Sequence, residues 1–285
     1  MPPEKNKPFT LHALLRLTRF WNLVIIGLSQ YVAALFLMDR NLIVDWRLFV
    51  LATSTVIIAA AGYIINDYYD IKIDLINKPQ RVVIGKTITR RYALFFHSVL
   101  VGIGVGLGFV IGWRIGVVNF LSAFLLWWYS NSLKRQPFIG NLVVAVLTSI
   151  SILLINILYY TDNPLVIIYA LFAFFMTLIR EILKDMEDLR GDNTFGCKTL
   201  PIIWGIRKTK GMIYSLLILL AASVLLLNAQ FVQLPFYYFV IFLYGPLGLL
   251  VLRLIRADTR KDFYWLSQWC KIIMLLGILS MVFIN

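Results

Sequence analysis

Six aspartates carry the most specific spacing in this 285-residue chain. Asp67, Asp70 and Asp74 lie in "NDYYDIKID" (66–74), and Asp185, Asp188 and Asp192 lie in "DMEDLRGD" (185–192). Both sets read D-x-x-D-x-x-x-D. A helix advances about 100° per residue, so the first and last aspartate of each set point within about 20° of one another. Asn66 lies one turn before Asp70, and Glu181 one turn before Asp185. Like charges four residues apart weaken a helix unless something compensates them. A hard divalent cation is the natural compensator, because it takes oxygen ligands. Mg²⁺ is commonly held by one or two carboxylates while substrate phosphates supply further oxygens. The six aspartates are therefore candidate Mg²⁺ ligands, and Asp67, Asp70, Asp74, Asp188 and Asp192 candidate catalytic residues. The duplicated spacing suggests two motifs sharing metal ions around one diphosphate.

Bases complete that chemistry. Lys78, Arg81, Lys134, Arg135, Lys184 and Lys198 fall beside the carboxylate faces or in neighbouring joins. They can neutralise phosphate oxygens that a metal does not reach. The same bases also serve membrane topology, so the sequence leaves open which of them touch substrate. The constellation points to a diphosphorylated amphiphile, with its head among metals and bases and its tail in an apolar bundle.

The elements that position these residues are hydrophobic helices. The composition is 60% hydrophobic and 14% charged, against roughly 25% charged in soluble domains. Mean hydropathy is +0.82. An all-α polytopic membrane protein is expected. Nine spans approach the length that crosses a core of about 30 Å: 20–38, 48–66, 93–112, 115–130, 141–159, 165–182, 211–229, 235–253 and 267–284. The joins after the even-numbered spans collect the bases, whereas the others hold only Arg40, Arg47 and Arg114. The positive-inside rule then places the N-terminus and both acidic motifs in the cytoplasm and the C-terminus on the opposite side. A prokaryotic inner membrane is the expected location. One membrane-embedded domain covers 1–285, and motifs four spans apart hint at two quasi-equivalent halves.

Other features carry less. A net charge of +13 would suggest nucleic acid in a soluble protein, but here it follows the joins between spans, and no nucleic-acid partner is expected. Cys197 and Cys270 make no disulfide framework. His12 and His97 are isolated. The first 20 residues lack the apolar core and cleavage site of a signal peptide and read as a short basic tail. Glycines in "VGIGVGLGFVIGW" (101–113) read as close helix packing. Tyr68, Tyr69 and Tyr129 suit packing or interfacial anchoring, with cation stabilisation as the alternative.

The chain resembles the UbiA superfamily of intramembrane prenyltransferases. "NDYYDIKID" matches that family's N-D-x-x-D-x-x-x-D motif and "DLRGD" (188–192) its second motif. "RLTRFWN" (16–22) looks like its N-terminal element, with Arg19 and Asn22 kept. "YSNSLKRQPFIGN" (129–141) keeps Tyr129, Lys134, Arg135, Gly140 and Asn141, and "GCKTLP" (196–201) follows the second motif. The resemblance implies a nine-helix bundle around a lipid-facing cavity. It also implies aspartates that bind Mg²⁺ and, through it, an isoprenyl diphosphate donor. Arg19, Asn22, Asn66, Lys78, Arg81, Tyr129, Lys134, Arg135, Asn141, Lys184 and Lys198 become candidate substrate-binding residues. Ionisation of the donor gives an allylic cation that an acceptor attacks.

The wording looks most like the group that makes digeranylgeranylglyceryl phosphate, through Asn77, Lys78, Pro79 and Arg81. That group commonly continues with Pro-x-Pro-Ser-Gly, where this chain has "VVIG" (82–85). The acceptor expected is geranylgeranylglycerol phosphate. An aromatic acceptor such as dihydroxynaphthoate, 4-hydroxybenzoate or homogentisate is the alternative. A remoter one is an ion-coupled transporter, whose carboxylates would sit near the membrane midplane.

Overall fold

Two long helices set the frame for both motifs. Helix α3 (Trp46–Asn77) begins at Asp45, whose carboxylate accepts from the Arg47 amide, and runs 32 residues. Helix α7 (Pro164–Thr194) begins at Asn163, whose side chain accepts from the Leu165 amide, with proline at its start, and runs 31 residues. Such caps satisfy amides that a helix start leaves without partners. The apolar stretches end near Ile65 and Ile182, yet both helices continue, to Asn77 and Thr194. At about 1.5 Å per residue each is over 45 Å long, well beyond the ~30 Å hydrocarbon core. The added turns carry the aspartates. The helices thus run past the expected spans, which end at 66 and 182, and carry the motifs as continued helix, as the aspartate spacing requires. Hydropathy marks where lipid stops suiting the side chains, not where backbone hydrogen bonding stops.

The computed structural model describes residues 11–232 and 234–284, without the side chains of Leu11 and His12. The expected basic tail and His12 thus fall largely outside the described residues. The other helices are α1 (Leu11–Leu17), α2 (Phe20–Leu37), α4 (Arg90–Ile111), α5 (Trp113–Asn131), α6 (Ile139–Tyr159), α8 (Leu200–Leu227), α9 (Phe236–Ile255) and α10 (Arg260–Ser280). Every regular element among the described residues is helical. Eight of these helices are long and apolar enough to cross a membrane. Each of the nine expected spans has its helix, but α5 is not among the eight. Its 19 residues include Arg114, Asn119 and the Trp127–Trp128–Tyr129 run, which dilute its hydropathy. The count of nine is thus not established.

The chain divides into two compact units. The first comprises the chain up to Leu28 with Asp45–Lys134, and the second Ser29–Val44 with Arg135–Asn285. In the first, α3 packs on α4 and α5. Of the four glycines between 102 and 108, two are buried in these contacts. A Cβ on Gly104 would meet Ile58 at 2.6 Å, and one on Gly108 would meet Asn119 at 2.5 Å, while Gly102 and Gly106 face open space. Only the i, i+4 pair therefore serves close approach. Asn119 bridges this contact, donating to Ser54 Oγ and to the Gly104 carbonyl, each at 3.2 Å.

In the second unit α7 is central, with α6, α8 and α10 around it. Its core includes Met176, Ile179, Ile182 and Leu183 against Leu217, Leu220 and Ile273. Close packing of this kind holds the C-terminal turns of α7 in a fixed orientation. Cys197 and Cys270 are buried in this unit, and neither is part of a disulfide.

Candidate active site

The first motif occupies the last three turns of α3. Asp67 Oδ1 accepts from Arg19 at 3.0 Å. Asp70 Oδ1 lies 2.5 Å from Lys134 Nζ, with the two side chains 16% and 9% exposed. The same ammonium is 3.5 Å from Asn66 Oδ1. Asp74 makes no ion pair among the described residues, and its carbonyl accepts from the Lys78 amide that caps the helix. Three turns of one helix thus carry the three carboxylates, and two of them already hold protein cations.

Arg19 occupies the corner between α1 and α2 with a positive φ of 52°. That conformation is uncommon for a residue with a Cβ. Its guanidinium stacks over the Tyr63 ring at 4.8 Å while bonding Asp67. Burial works against the charge, but Asp67 and Tyr63 outweigh it and hold the proton more tightly than usual. Asn22 donates to the Tyr63 hydroxyl at 3.3 Å. Tyr63 lies one turn before Asp67 and ties both N-terminal candidates to α3. Sequence reasoning passed over it, although its i−4 relation to Asp67 was a usable signal.

The basic segment after α3 is held by a small apolar core. Arg81 is exposed, and its amide donates to the Lys78 carbonyl at 2.8 Å. In "VVIG", Val83 and Ile84 are buried with Ile88 against Ala13, Leu17, Ile64 and Ala93. Gly85, at φ 89°, makes the turn, and its amide donates to the Ile88 carbonyl at 2.8 Å. Arg16 donates to the Gln80 carbonyl at 3.0 Å. Two buried side chains thus anchor a loop that the group's common wording would stiffen with two prolines.

The second motif occupies the last turns of α7. Asp185 Oδ2 accepts from Asn141 Nδ2, on α6, at 2.8 Å. Asp188 and Asp192 are half-buried on the following turns. Lys184 reaches Glu181 at 2.8 Å, and Arg180 reaches the other oxygen of the same carboxylate at 2.6 Å. Glu181 is buried. It was expected only to extend the acidic face, and its part in holding two cations was not foreseen. Beyond α7, the Lys198 amide donates to the Arg135 carbonyl at 2.8 Å, which ties the two basic segments together through the backbone. Tyr129 is half-buried near the end of α5.

The donor set fits Mg²⁺ chemically. Both faces offer carboxylate oxygens and a carboxamide. Among the described residues, no three His, Cys, Asp or Glu side chains close into a ready cage. Mg²⁺ does not need one, because it keeps waters and takes phosphate oxygens beside one or two carboxylates.

Known proteins resemble this chain in sequence and in fold. The chain is 36% identical over 214 residues to Digeranylgeranylglyceryl phosphate synthase of Saccharolobus solfataricus, spanning 74% of this chain and 75% of the relative. It is 30% identical over 263 residues to the Methanosphaera stadtmanae protein of that name, spanning 89% and 93%. A solved structure from work on Digeranylgeranylglyceryl phosphate synthase in membranes superposes with a TM-score of 0.73 at 26% identity, covering 96% of this chain and 97% of that one. A UbiA homolog from Archaeoglobus fulgidus, bound to DMAPP and Mg²⁺, shares the fold with a TM-score of 0.62 at 15% identity, covering 94% and 98%. The model of the UbiA prenyltransferase family matches residues 28–276, nearly the whole chain. With its apolar helices and duplicated acidic motif, the chain is an integral membrane protein that belongs to the UbiA prenyltransferase family.

Proposed function

We propose that this protein transfers a geranylgeranyl group from geranylgeranyl diphosphate to geranylgeranylglycerol phosphate, releasing diphosphate, in a Mg²⁺-dependent reaction. The observation that carries the proposal is the placement of the two motifs. Asp67 lies 21 residues after the first residue of α3 (67 − 46), and Asp185 lies 21 after that of α7 (185 − 164). At about 1.5 Å per residue, each motif begins ~32 Å along its helix, one hydrocarbon thickness from the start. That depth suits a head group at the membrane face and a tail in lipid. It does not suit a transport site at the midplane. The names of the relatives at 30% and 36% identity favour the glycerol-phosphate acceptor. The "VVIG" departure is absorbed by burial of Val83 and Ile84 and does not by itself argue for an aromatic acceptor.

Asp67, Asp70, Asp74, Asp185, Asp188 and Asp192 would hold the metal. Bound Mg²⁺ supplies Lewis-acid stabilisation of the charge that grows on the leaving diphosphate. Lys134, Arg19, Lys184 and the bases of the following loops face anionic oxygens and share that charge. Asn141 fixes one oxygen of Asp185, so the carboxylate presents the other. Asn22 and Tyr63 orient the Arg19 corner. The apolar faces of the surrounding helices keep water from an electron-poor allylic carbon. The C–O bond to diphosphate breaks with its electron pair on the leaving group. The acceptor hydroxyl forms the new C–O bond and gives up its proton to the released diphosphate.

We further propose that the chain acts as one membrane domain over 1–285, with its motif-bearing helix ends and N-terminus cytoplasmic and its C-terminus opposite, in a prokaryotic inner membrane. The base distribution supports this orientation. The test is a competition assay with purified protein, Mg²⁺ and geranylgeranyl diphosphate. Equal amounts of geranylgeranylglycerol phosphate, dihydroxynaphthoate and 4-hydroxybenzoate are offered, and products are read by mass. The ether lipid product should dominate. Prenylation of only an aromatic acceptor would overturn the acceptor assignment.

A further inference from the structure

We infer that Lys134 and Arg19 are resident counter-ions of the first motif, which keep it closed to a metal arriving alone and yield only to a diphosphate arriving with its metal. The inference rests on the proposed function above. Asp70 and Asp67 each have one oxygen engaged, by Lys134 at 2.5 Å and by Arg19 at 3.0 Å. Neither cation is a loose surface charge. The Lys134 side chain is 9% exposed and also within 3.5 Å of Asn66, while Arg19 is stacked on Tyr63. In the second motif Asp185 takes the neutral amide of Asn141, while Arg180 and Lys184 bond Glu181.

The physical consequence concerns what a divalent ion must displace. If Mg²⁺ takes Asp70 alone, the Lys134 ammonium is left shielded from water beside a like charge. Such an uncompensated charge is costly. If a diphosphate arrives with the metal, the released ammonium gains an anion and the cost disappears. Metal and diphosphate binding are then positively coupled, and linkage makes the coupling reciprocal. Lysine suits the position at Asp70, because a compact ammonium on a flexible stem can move from carboxylate to phosphate without a fixed fork geometry. The pairing thus sets an order of events. The bare site discriminates against free metal, and the substrate opens it.

Mn²⁺ affinity of the purified full-length protein, read from the spin-resonance signal of free Mn²⁺, tests this directly without turnover. Lys134→Met should bind Mn²⁺ alone about tenfold tighter than wild type, within the usual range of coupling. With Mn²⁺ saturating, its affinity for inorganic diphosphate should fall about tenfold, so the two shifts have opposite signs. Lys134→Arg should behave as wild type with Mn²⁺ alone. Arg19→Met should shift both in the same directions as Lys134→Met by about threefold, as its pair is more exposed. It decides the matter if Lys134→Met does not fold. Unchanged or weaker Mn²⁺ binding in the variants would overturn the inference while leaving the proposed function standing. If wild type retained neither Mn²⁺ nor diphosphate when both are supplied, the proposed function would fail, and this inference with it.

Discussion

The two acidic motifs share a spacing and a position along their helices, yet the first aspartate of each meets a different kind of partner. On α3, Asp67 and Asp70 hold a guanidinium and an ammonium brought from the α1–α2 corner and from the turn after α5. On α7, Asp185 holds the amide of Asn141, and Arg180 and Lys184 bond Glu181 one turn before it. The sequence pattern fixes where the carboxylates point. Which partner each one meets is decided by the elements packed alongside. A repeated motif can therefore meet different partners at the same place in its pattern: Asp67, first in its set, holds a guanidinium, and Asp185, first in the other, holds a neutral amide.

The largest effect should come from removing a carboxylate from either side. Asp70→Ala and Asp188→Ala should each lower kcat/KM by about a thousandfold or more, roughly 4 kcal/mol of transition-state stabilisation. Full activity in either variant would break the claim that both motifs serve one reaction. Steady-state kinetics with a labelled donor measures this. Asn141→Ala should cost less, about 10- to 100-fold, as expected for a partner that orients a metal-binding carboxylate. Asn141→Asp should be worse, because it sets a second carboxylate against Asp185. Arg19→Ala should raise the donor KM about threefold through its lost charge, a loss of ~0.7 kcal/mol in binding. Its thermal stability should change by less than ~1 kcal/mol, since the Arg19 side chain is 36% exposed. The smallest effect sharpens the contrast between charge and amide. Salt at 1 M shortens the Debye length to about 3 Å. It should shrink the stability gap between wild type and Arg19→Ala by a few tenths of a kcal/mol and leave the Asn141→Ala gap unchanged. Paired melting curves at two salt concentrations would show it.

Much of this arrangement is legible in the chain itself. The motif spacing survives as a helical face because α3 and α7 stay helical through Asp74 and Asp192. The apolar runs locate the spans because lipid demands them of any helix that crosses. The pairings are not legible. Arg19 meets Asp67 across 48 residues, Lys134 meets Asp70 across 64, and Asn141 meets Asp185 across 44. No local rule of propensity or periodicity reaches so far. The expectation that the glycines of α4 serve packing holds for Gly104 and Gly108 but not for Gly102 and Gly106, a selection that only the packing itself makes.

The loop at 82–88 has a consequence for how the chain reaches its final shape. A proline stiffens a loop in the unfolded chain and the folded one alike, whereas a buried side chain stiffens it only once its core exists. Val83, Ile84 and Ile88 find that core against Leu17 of α1 and Ala93 of α4. The segment that follows Lys78 and Arg81 therefore becomes ordered as α1 docks, not ahead of it. Its folding clock is set by the N-terminal helix, and amide exchange at Gly85 and Ile88 should slow in step with exchange in α1.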